Sequence, residues 1–310
     1  MTGKTTLAES PPAVDLGRLR PPEIAATMLT AQAAALAAIE PELPAIAAAI
    51  DGIADRLAGG GRLVLIGAGN SGRLALIQTS EMEPTFGLEP GVMIGVLAGI
   101  GTTTDPRNPI ATDDSADDDG PAGAAAIVDL EVGPADAVVG ISASGRTPYT
   151  LAAIEAAAER GALTIALACA SDAPLERSAT LVIHPDVGAE MVAGSTRLAA
   201  GSATKTILDI LTTGAMVRLG RVHGGRMIDL RATNAKLRER AVRIVVDLTG
   251  RSEADAREAL ESVDWSPRTA VVGLMLGLAP TEARARAAAH RFLADAVASE
   301  APASRSQPRR

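Results

Sequence analysis

Aromatic residues are scarce in this chain of 310 amino acids. The sequence holds only four of them, Phe86, Tyr149, Trp265 and Phe292, whereas proteins that bind single-stranded nucleic acid rely on aromatic rings on which bases stack. The net charge of −8 points the same way, because nucleic-acid binding is dominated by attraction between basic side chains and phosphates. We therefore expect no nucleic-acid partner.

Cysteine and histidine are also rare. The single cysteine, Cys169, excludes disulfide bonds and cysteine-based zinc sites within one chain. It ends an apolar run at 163–169, which favours a buried strand-end residue over a nucleophile. The histidines lack the spacing of metal ligands, so we expect no metal held by the protein; they are His184, His223 and His290.

The sequence lacks the features of a membrane-targeted chain. Residues 1–10 are polar, unlike a signal peptide, and we expect no apolar run of the roughly 20 residues that span a bilayer. An apolar share of 47% nevertheless allows a sizeable core. We expect a cytoplasmic protein without a membrane partner.

Apolar runs alternating with helical patterns dominate the middle of the chain. This alternation predicts βαβ units, and hence an α/β fold with a parallel sheet flanked by helices in a sandwich. Ligands of such sheets bind at the carboxyl ends of the strands. The predicted strands lie at 63–67, 92–98, 137–142, 163–168 and 180–183.

The segments before and after the predicted sheet have helical patterns. An apolar stripe in the N-terminal helices would pack in the core or on a second subunit; it comprises Leu36, Ile39, Leu43, Ile46, Ile50, Ile53 and Leu57. A helical pattern from 194 to 219 leads to a glycine-rich turn, and a short three-helix module with breaks at Gly250, Pro267 and Pro280 follows. The predicted division is 1–20 irregular arm, 21–60 N-terminal helices, 61–225 sheet domain, 226–300 C-terminal all-helical module and 301–310 disordered tail.

Two glycine-rich loops follow predicted strands, one at 67–73 and one at 142–147. Glycines let the backbone approach an anion closely, and the N–H groups that open the next helix point at it. Two such loops suggest two walls of one phosphate-binding pocket. The candidate binding residues are Gly69, Asn70, Ser71, Gly72, Ser142, Ser144, Gly145, Arg146 and Thr147.

The first loop also matches a dinucleotide fingerprint, Gly67-x-Gly69-x-x-Gly72. That fingerprint requires an acidic residue at the end of the second strand to hold the ribose, and the run at 92–100 has none. The hydroxyls of the two loops suit a phosphate monoester better. An ordinary strand-to-helix turn is the alternative for either loop alone.

Three groups of residues downstream of the loops are candidates for chemistry. Glu81, expected just after the first helix in mostly apolar surroundings, is a candidate general acid; a solvated carboxylate is the alternative. The acidic run at 113–119 indicates a surface or a helix start. Glu190 lies in a loop that runs into a helix whose first turn is expected to offer Ser195, Thr196 and Arg197. Together these residues are candidates to bind an oxyanion or sugar hydroxyls of the substrate, with Glu190, Ser195 and Arg197 the predicted binding residues, although a capped helix explains the pattern equally well.

Five motifs in order, from about residue 43 to 250, carry a resemblance to a known family. The motifs are Gly67-Ala68-Gly69-Asn70-Ser71-Gly72-Arg73-Leu74, Ser80-Glu81-x-x-Pro84-Thr85-Phe86-Gly87, Ser144-Gly145-Arg146-Thr147-Pro148-Tyr149, the 188–205 signature, and Ile228-Asp229-Leu230-x-Ala232-Thr233-Asn234-x-Lys236-Leu237. On these motifs the chain resembles the N-acetylmuramic acid 6-phosphate etherases, members of the sugar-isomerase (SIS) domain superfamily that are related to the glucokinase regulatory protein.

The resemblance implies a lyase that splits the D-lactyl ether of N-acetylmuramic acid 6-phosphate into N-acetylglucosamine 6-phosphate and D-lactate during cell-wall recycling. It implies no cofactor, a SIS sugar-phosphate-binding domain at 61–225, and a homodimer with its active sites near the interface. A non-catalytic sugar-phosphate sensor and a sugar-phosphate isomerase of the same fold are the alternative functions.

The resemblance also suggests catalytic residues. Glu81 matches the family's acid. The family's base is a Glu in an Ala-Glu-Asp stretch, for which two registers compete here: Ala116-Asp117-Asp118 without a gap, and Asp113-Asp114-Ser115 with one. We favour Asp117, which is one methylene shorter than the family's glutamate.

Overall fold

The computed structural model describes residues 15–99, 114–170 and 172–298. The chain divides into two compact units: one holds the chain up to Glu83 together with Leu88–Ala215, and the other holds Pro84–Gly87 and the chain from Met216. Most of the predicted N-terminal arm (1–14) and the whole predicted tail (301–310) lie outside the described residues. The predicted domain boundaries stay predictions, because compact units are not a test of independent folding.

The first unit is built on a parallel sheet. Within the described ranges, five parallel strands lie in the order β2-β1-β3-β4-β5. This confirms the predicted α/β class and each of the five predicted strands to within one residue at either end. The strands are β1 (Leu63–Gly67), β2 (Met93–Leu97), β3 (Ala137–Ile141), β4 (Leu163–Leu167) and β5 (Leu181–Ile183).

Helices cover this sheet. Every residue of β1, β3 and β4 is buried, as expected for central parallel strands with both faces covered. The helices that begin in the first unit are α1 (Pro21–Ala37), α2 (Leu43–Ala58), α3 (Gly69–Phe86), α4 (Gly120–Asp129), α5 (Pro148–Glu159), α6 (Pro174–Arg177) and α7 (Ala199–Arg218).

The sheet order places the two glycine-rich loops side by side. Strand β1 lies between β2 and β3, and Gly67 at its end is paired with Ile141 at the end of β3. Gly72 lets α3 pack directly on the end of β1, because a β-carbon at this position would lie 2.4 Å from the Gly67 carbonyl oxygen. The carboxyl edge of the sheet therefore holds both loops.

The N-terminal helices correct two expectations. The segment Pro21–Ala58 is long and apolar enough to cross a membrane by length and composition, contrary to the expectation from the sequence. It is not one helix, since a 3-10 turn at Glu40–Glu42 separates α1 from α2. The apolar stripe is also not one buried face: Ile46 and Ile53 are buried, whereas Leu36 and Leu43 are 45% and 50% exposed.

The second unit is helical, with a small hairpin of β6 (Val222–His223) and β7 (Arg226–Met227). Five helices follow in the described part of the chain, not three. The side chains of Ser252 and Ser266 cap the starts of two of them. Gly250 and Gly277 end two of them in the left-handed conformation, at φ of 68° and 66°. The helices are α8 (Ala235–Thr249), α9 (Glu253–Ser262), α10 (Pro267–Leu276), α11 (Pro280–Ala289) and α12 (Leu293–Val297).

Candidate functional site

A polar cavity of about 130 Å³ lies at the carboxyl edge of the sheet in the first unit. We call it the hydroxyl cavity, because six serine and threonine residues line it. Its walls come from the two glycine-rich loops, the acidic segment before α4, the segment before α7 and the first turns of α7. The lining residues are Ala68, Gly69, Asn70, Ser71, Leu74, Asp117, Ser142, Ala143, Ser144, Thr147, Thr196, Gly201 and Thr204.

The start of helix α3 forms one wall of the hydroxyl cavity. The helix begins at Gly69, whose φ of +52° is a conformation that glycine adopts without strain. The first turn of a helix carries N–H groups without intrahelical acceptors, and the helix dipole places partial positive charge there. Ser71 adds a hydroxyl to the same turn. This wall is suited to an anion.

The second loop forms the opposite wall. The hydroxyls of Ser142 and Thr147 are 2.9 Å apart and hydrogen bonded, and Ser144 Oγ accepts a hydrogen bond from the Arg146 N–H at 3.2 Å. Thr147 is the residue before α5, which begins with Pro148. The structure therefore brings together six of the predicted binding residues: Gly69, Asn70, Ser71, Ser142, Ser144 and Thr147.

Asp117 also lines the hydroxyl cavity, beside the first loop. It lies in a 3-10 helix at Asp114–Asp118, and a β-carbon at Gly69 would be 3.4 Å from its Oδ2 atom. Asp119, two residues further along the chain, has a structural role. Its side chain accepts a hydrogen bond from the Ala122 N–H and caps α4. Asp113, the competing position for the base, lies outside the described residues.

The other predicted binding residues lie outside the lining of the hydroxyl cavity. Gly72 packs on β1, and a β-carbon at Gly145 would be 2.3 Å from Ala173 Cβ, so both glycines serve close packing. Arg146 and Arg197 are exposed. Ser195 lies in a turn before α7 and is partly buried.

Glu190 sets the start of helix α7. Its fully buried carboxylate accepts hydrogen bonds from the Ala199 and Ala200 N–H groups at 2.9 and 3.0 Å. Helix α7 therefore begins at Ala199 and not at 194, and Ser195, Thr196 and Arg197 precede the helix instead of forming its first turn. Of the two explanations for this segment, the contacts of Glu190 match the capped helix.

Glu81 lies within helix α3, not after it, because the helix continues to Phe86 through Pro84. Its surroundings are not apolar: the side chain is 55% exposed, and Oε2 is 3.1 Å from the Lys205 ammonium. Glu81 follows Leu74, a lining residue of the hydroxyl cavity, by seven residues on the same helix. Seven residues are two turns, or about 10 Å along the axis.

Lys205 connects Glu81 to a polar network between α3 and α7. Its ammonium donates to Gln78 Oε1 at 2.9 Å and to Asp209 Oδ1 at 2.6 Å as well as to Glu81, and Gln78 in turn donates to the Thr212 hydroxyl at 2.7 Å. Partial burial lowers the pKa of Lys205, but the hydrogen bonds to Asp209 and Glu81 outweigh burial and raise it. Lys205 is therefore a protonated neighbour of Glu81.

Sequence reasoning missed several residues of this region as site residues. Gly201 and Thr204 line the hydroxyl cavity, as does the predicted candidate Thr196, and Lys205 contacts Glu81. The three missed residues, Gly201, Thr204 and Lys205, all belong to the 188–205 signature. The signal that could have found them is the helical spacing from Gly201 to Lys205, which places Gly201 and Thr204 on one face.

Cys169 is buried next to this region, as predicted. Its Sγ lies 3.8 Å from both the Ala200 carbonyl oxygen and the Thr204 hydroxyl. Burial raises the pKa of the thiol to about 12, so the thiolate that a nucleophile requires does not form near neutral pH. In the described ranges, no group of three or more His, Cys, Asp or Glu residues is placed to hold a metal ion.

The five-stranded parallel sheet and the hydroxyl cavity at its carboxyl edge define the class of the protein. Residues 29–169 and 122–217 match SIS domain models, and residues 224–269 match the C-terminal lid domain of glucokinase regulatory protein. The first unit is thus a SIS domain.

The particular family follows from whole-chain relatives. The chain is 46% identical to an N-acetylmuramic acid 6-phosphate etherase from Rubrobacter xylanophilus over 92% of its own length and 93% of that protein. It is 48% identical to one from Symbiobacterium thermophilum over 78% of each chain. The chain belongs to the N-acetylmuramic acid 6-phosphate etherase family.

A phosphoheptose isomerase from Francisella tularensis aligns with 62% of this chain and 97% of its own, at 20% identity and a TM-score of 0.45.

Proposed function

We propose that the protein cleaves the D-lactyl ether of N-acetylmuramic acid 6-phosphate and releases N-acetylglucosamine 6-phosphate and D-lactate, in the cytoplasm and without a cofactor. The observation that carries the proposal is the match to etherases over 92% of the chain, with the family's acid present as Glu81. The hydroxyl cavity supplies a site for the phosphate, and the acidic residues around it supply groups that move protons.

In this proposal the hydroxyl cavity holds the 6-phosphate. Ser71, Ser144 and Thr147 donate hydrogen bonds together with the N–H groups at the start of α3. Charge-assisted hydrogen bonds of this kind contribute about 1.5–3 kcal/mol each. The volume of about 130 Å³ is below the roughly 300 Å³ at which small-molecule pockets begin, so the cavity suits the phosphate end of a sugar and not a dinucleotide.

The sugar then extends from the hydroxyl cavity toward Glu81. In the open-chain form, the C1 aldehyde acidifies the C2 proton, and Asp117 removes it as the base. The electrons form the C2–C3 double bond as the C3–O bond breaks, and Glu81 protonates the departing lactate oxygen. Water then adds at C3 and leaves a proton on Glu81, while Asp117 returns its proton to C2. The Lys205 ammonium, 3.1 Å from Glu81 Oε2, holds the Glu81 carboxylate in place.

Position 117 holds Asp where the family has Glu, and this difference makes a non-catalytic sugar-phosphate sensor the second candidate function. A carboxylate that is one methylene shorter has to reach C2 from a different position, and a misplacement of about 1 Å can reduce a rate about a hundredfold. A sugar-phosphate sensor would keep the hydroxyl cavity and would not need the base. A sugar-phosphate isomerase would need the base but not the acid that releases lactate.

We further propose that the protein is a homodimer with active sites near the interface. The described residues enclose only about 130 Å³ around the phosphate site, so more protein surface is needed to surround a whole amino-sugar phosphate. Helix α1 has a single buried residue, Ala35, and Leu29 on it is 72% exposed. A second copy packed on such apolar surface would form the isologous contact that is commonest among oligomers.

The activity is tested by incubating the purified protein with N-acetylmuramic acid 6-phosphate and assaying D-lactate. Release of one D-lactate per substrate consumed supports the etherase. Substrate that stays intact but binds in calorimetry indicates the sensor. Conversion of a sugar phosphate between aldose and ketose without lactate indicates the isomerase.

The phosphate site is tested separately with the product. Calorimetry with N-acetylglucosamine 6-phosphate should show at least about tenfold weaker binding for Ser71→Ala and for Ser144→Ala. Ser262→Ala, an exposed serine of α9, is the matched control and should bind as the wild type does. Unchanged affinity in both cavity variants would dismiss the phosphate assignment.

A further inference from the structure

A second and larger cavity, of about 640 Å³, lies within the second unit. We call it the arginine cavity. Its walls are the segment Leu230–Thr233, which precedes α8, and the segment Asp264–Pro267, which joins α9 to α10. It shares no lining residue with the hydroxyl cavity. Its volume is in the usual range for small-molecule sites.

Three arginines line the arginine cavity: Arg221, Arg231 and Arg238. Arg221 Nη1 also donates to the Phe86 carbonyl oxygen at 2.9 Å. The guanidinium group is planar, always charged and shaped to bind phosphate or carboxylate with two hydrogen bonds. The second unit as a whole is suited to an anion. Residues 216–298 carry fourteen Lys and Arg against ten Asp and Glu, although the whole chain has a net charge of −8.

The two carboxylates that line the arginine cavity are compensated by arginines outside its lining. Asp229 accepts two hydrogen bonds from Arg268, at 2.7 and 2.8 Å, and Asp264 pairs with Arg284 at 2.6 Å. The lining itself holds three arginines and two aspartates, and Arg221 Nη1 also lies 3.9 Å from Asp229 Oδ2. Each carboxylate keeps lone pairs that can accept from a ligand hydroxyl.

Backbone strain is concentrated at the rim of the same cavity. Asp264 and Trp265 are consecutive non-glycine residues in the left-handed region, at φ of 52° and 60°. This conformation costs free energy for any side chain with a β-carbon, and such strain clusters at ligand sites. It holds the Trp265 ring between the helical core and Arg238, whose guanidinium lies 5.0 Å from the ring centre.

We propose that the arginine cavity is a second binding site, distinct from the etherase site, for a phosphorylated sugar. The arginines bind the phosphate. The two aspartates and the Thr233 hydroxyl are placed to bond to sugar hydroxyls. Trp265, the only tryptophan of the chain, forms part of the wall, so it reports binding at this cavity through its fluorescence.

The test is a fluorescence titration of the full chain with glucose 6-phosphate. We expect a saturable change in Trp265 emission, no change with glucose, and weaker binding of inorganic phosphate. Arg231→Gln should raise the midpoint concentration at least about tenfold, as loss of a charge-assisted contact does. Arg238→Gln should also raise the midpoint concentration. Because Arg238 is at an exposed position, this variant serves if Arg231→Gln does not fold.

Two controls separate this cavity from the proposed etherase site. Arg226→Gln, which removes an arginine paired with Asp247 outside the lining, should leave the midpoint unchanged. The double variant Ser71→Ala with Ser144→Ala should also keep the titration, because those serines line the hydroxyl cavity. Loss of the signal in the serine variant, or an unchanged midpoint in both arginine variants, would overturn the proposal. Equal midpoints for phosphate and glucose 6-phosphate would overturn the assignment to a sugar.

Discussion

At the scale of single residues, Lys205 changes the interpretation of the candidate site most. The sequence places Glu81 correctly in a motif but cannot show its neighbours. The structure adds an ammonium at 3.1 Å from Glu81 and a competing carboxylate, Asp209, at 2.6 Å from the same ammonium. The Lys205 ammonium therefore fixes the position of the Glu81 carboxylate on α3.

Replacing Lys205 by methionine should therefore reduce turnover more than binding. We expect kcat for D-lactate release to fall at least about tenfold, because the Glu81 carboxylate loses the contact that positions it and a misplacement of about 1 Å can reduce a rate about a hundredfold. The affinity for N-acetylglucosamine 6-phosphate should change less than about twofold, because Lys205 does not line the hydroxyl cavity. Arg257→Met, which removes an exposed basic residue of α9, is the control. A large loss of product affinity with unchanged kcat would contradict this role.

Asp136 provides a second test at the residue scale, on stability. Its buried carboxylate accepts hydrogen bonds from Arg62 Nη2 and the Arg62 N–H, both at 2.8 Å, and from the Gly133 N–H at 3.0 Å. Burial alone would raise the pKa of Asp136, but these bonds and the Arg62 charge outweigh it and lower the pKa below its ordinary value. The carboxylate therefore stabilises the fold when it is ionised.

Asp136→Asn should lower the free energy of unfolding by about 2 kcal/mol at pH 7, as for a charge-assisted hydrogen bond. A carboxyl whose pKa is lower in the folded state contributes fully above its unfolded pKa of about 3.9. That contribution is lost as the pH falls through the folded pKa. Urea unfolding of the wild type and the variant should thus show a difference in the free energy of unfolding that becomes smaller below about pH 4. Asp55→Asn, at an exposed position, is the control. A difference in unfolding free energy that does not depend on pH would contradict the ion pair.

At the scale of elements, the start of α7 shows what sequence patterns can and cannot give. The apolar periodicity reaches back to residue 194, and a helix from there is a reasonable prediction. The helix instead begins at Ala199, because the Glu190 carboxylate, which lies outside the helix, caps its first two N–H groups. A cap that depends on a buried side chain nine residues away has no signature in local periodicity.

Glu190→Gln should destabilise the fold by about 1–3 kcal/mol. The glutamine amide keeps one acceptor oxygen, now uncharged, whereas both carboxylate oxygens of Glu190 accept hydrogen bonds. Product affinity should stay within about twofold, because Glu190 does not line the hydroxyl cavity. Thermal unfolding and calorimetry of the same variant separate the two roles. An unchanged melting temperature with tenfold weaker product binding would make Glu190 a substrate ligand, as the sequence alone first suggested.

At the scale of the whole molecule, the fold was more predictable than the site. Each strand of the sheet is a short apolar run with a break at each end, and the alternation of these runs with helical patterns predicts a parallel sheet. The position of Asp117 beside Gly69 depends on how a 3-10 helix packs on the first loop, and the Lys205 contact depends on two helices distant in sequence. Such contacts arise from tertiary packing, which local patterns do not encode.

The proposed dimer gives a prediction at this scale. Light scattering at micromolar concentration should give about twice the 31.4 kDa chain mass, because a C2 dimer is the commonest arrangement for apolar surface of this kind. Leu29→Lys with Leu36→Lys, at exposed positions of α1, should shift the mass toward that of the monomer. Val128→Lys, on exposed apolar surface of α4, is the matched control. A monomer mass for the unaltered chain would contradict the dimer.

The division of labour between Glu81 and Asp117 is the central claim, and one experiment in deuterated water tests it. Magnetic resonance of N-acetylmuramic acid 6-phosphate would follow D-lactate release and deuterium entry at C2 together. We predict that Glu81→Gln releases little lactate but still takes up deuterium at C2. Asp117→Asn should neither release lactate nor take up deuterium at C2. The control Asp118→Asn, at an exposed neighbouring position, should show both lactate release and deuterium uptake. Full C2 exchange in Asp117→Asn would contradict the account, and loss of exchange in Asp113→Asn instead would move the base to that position.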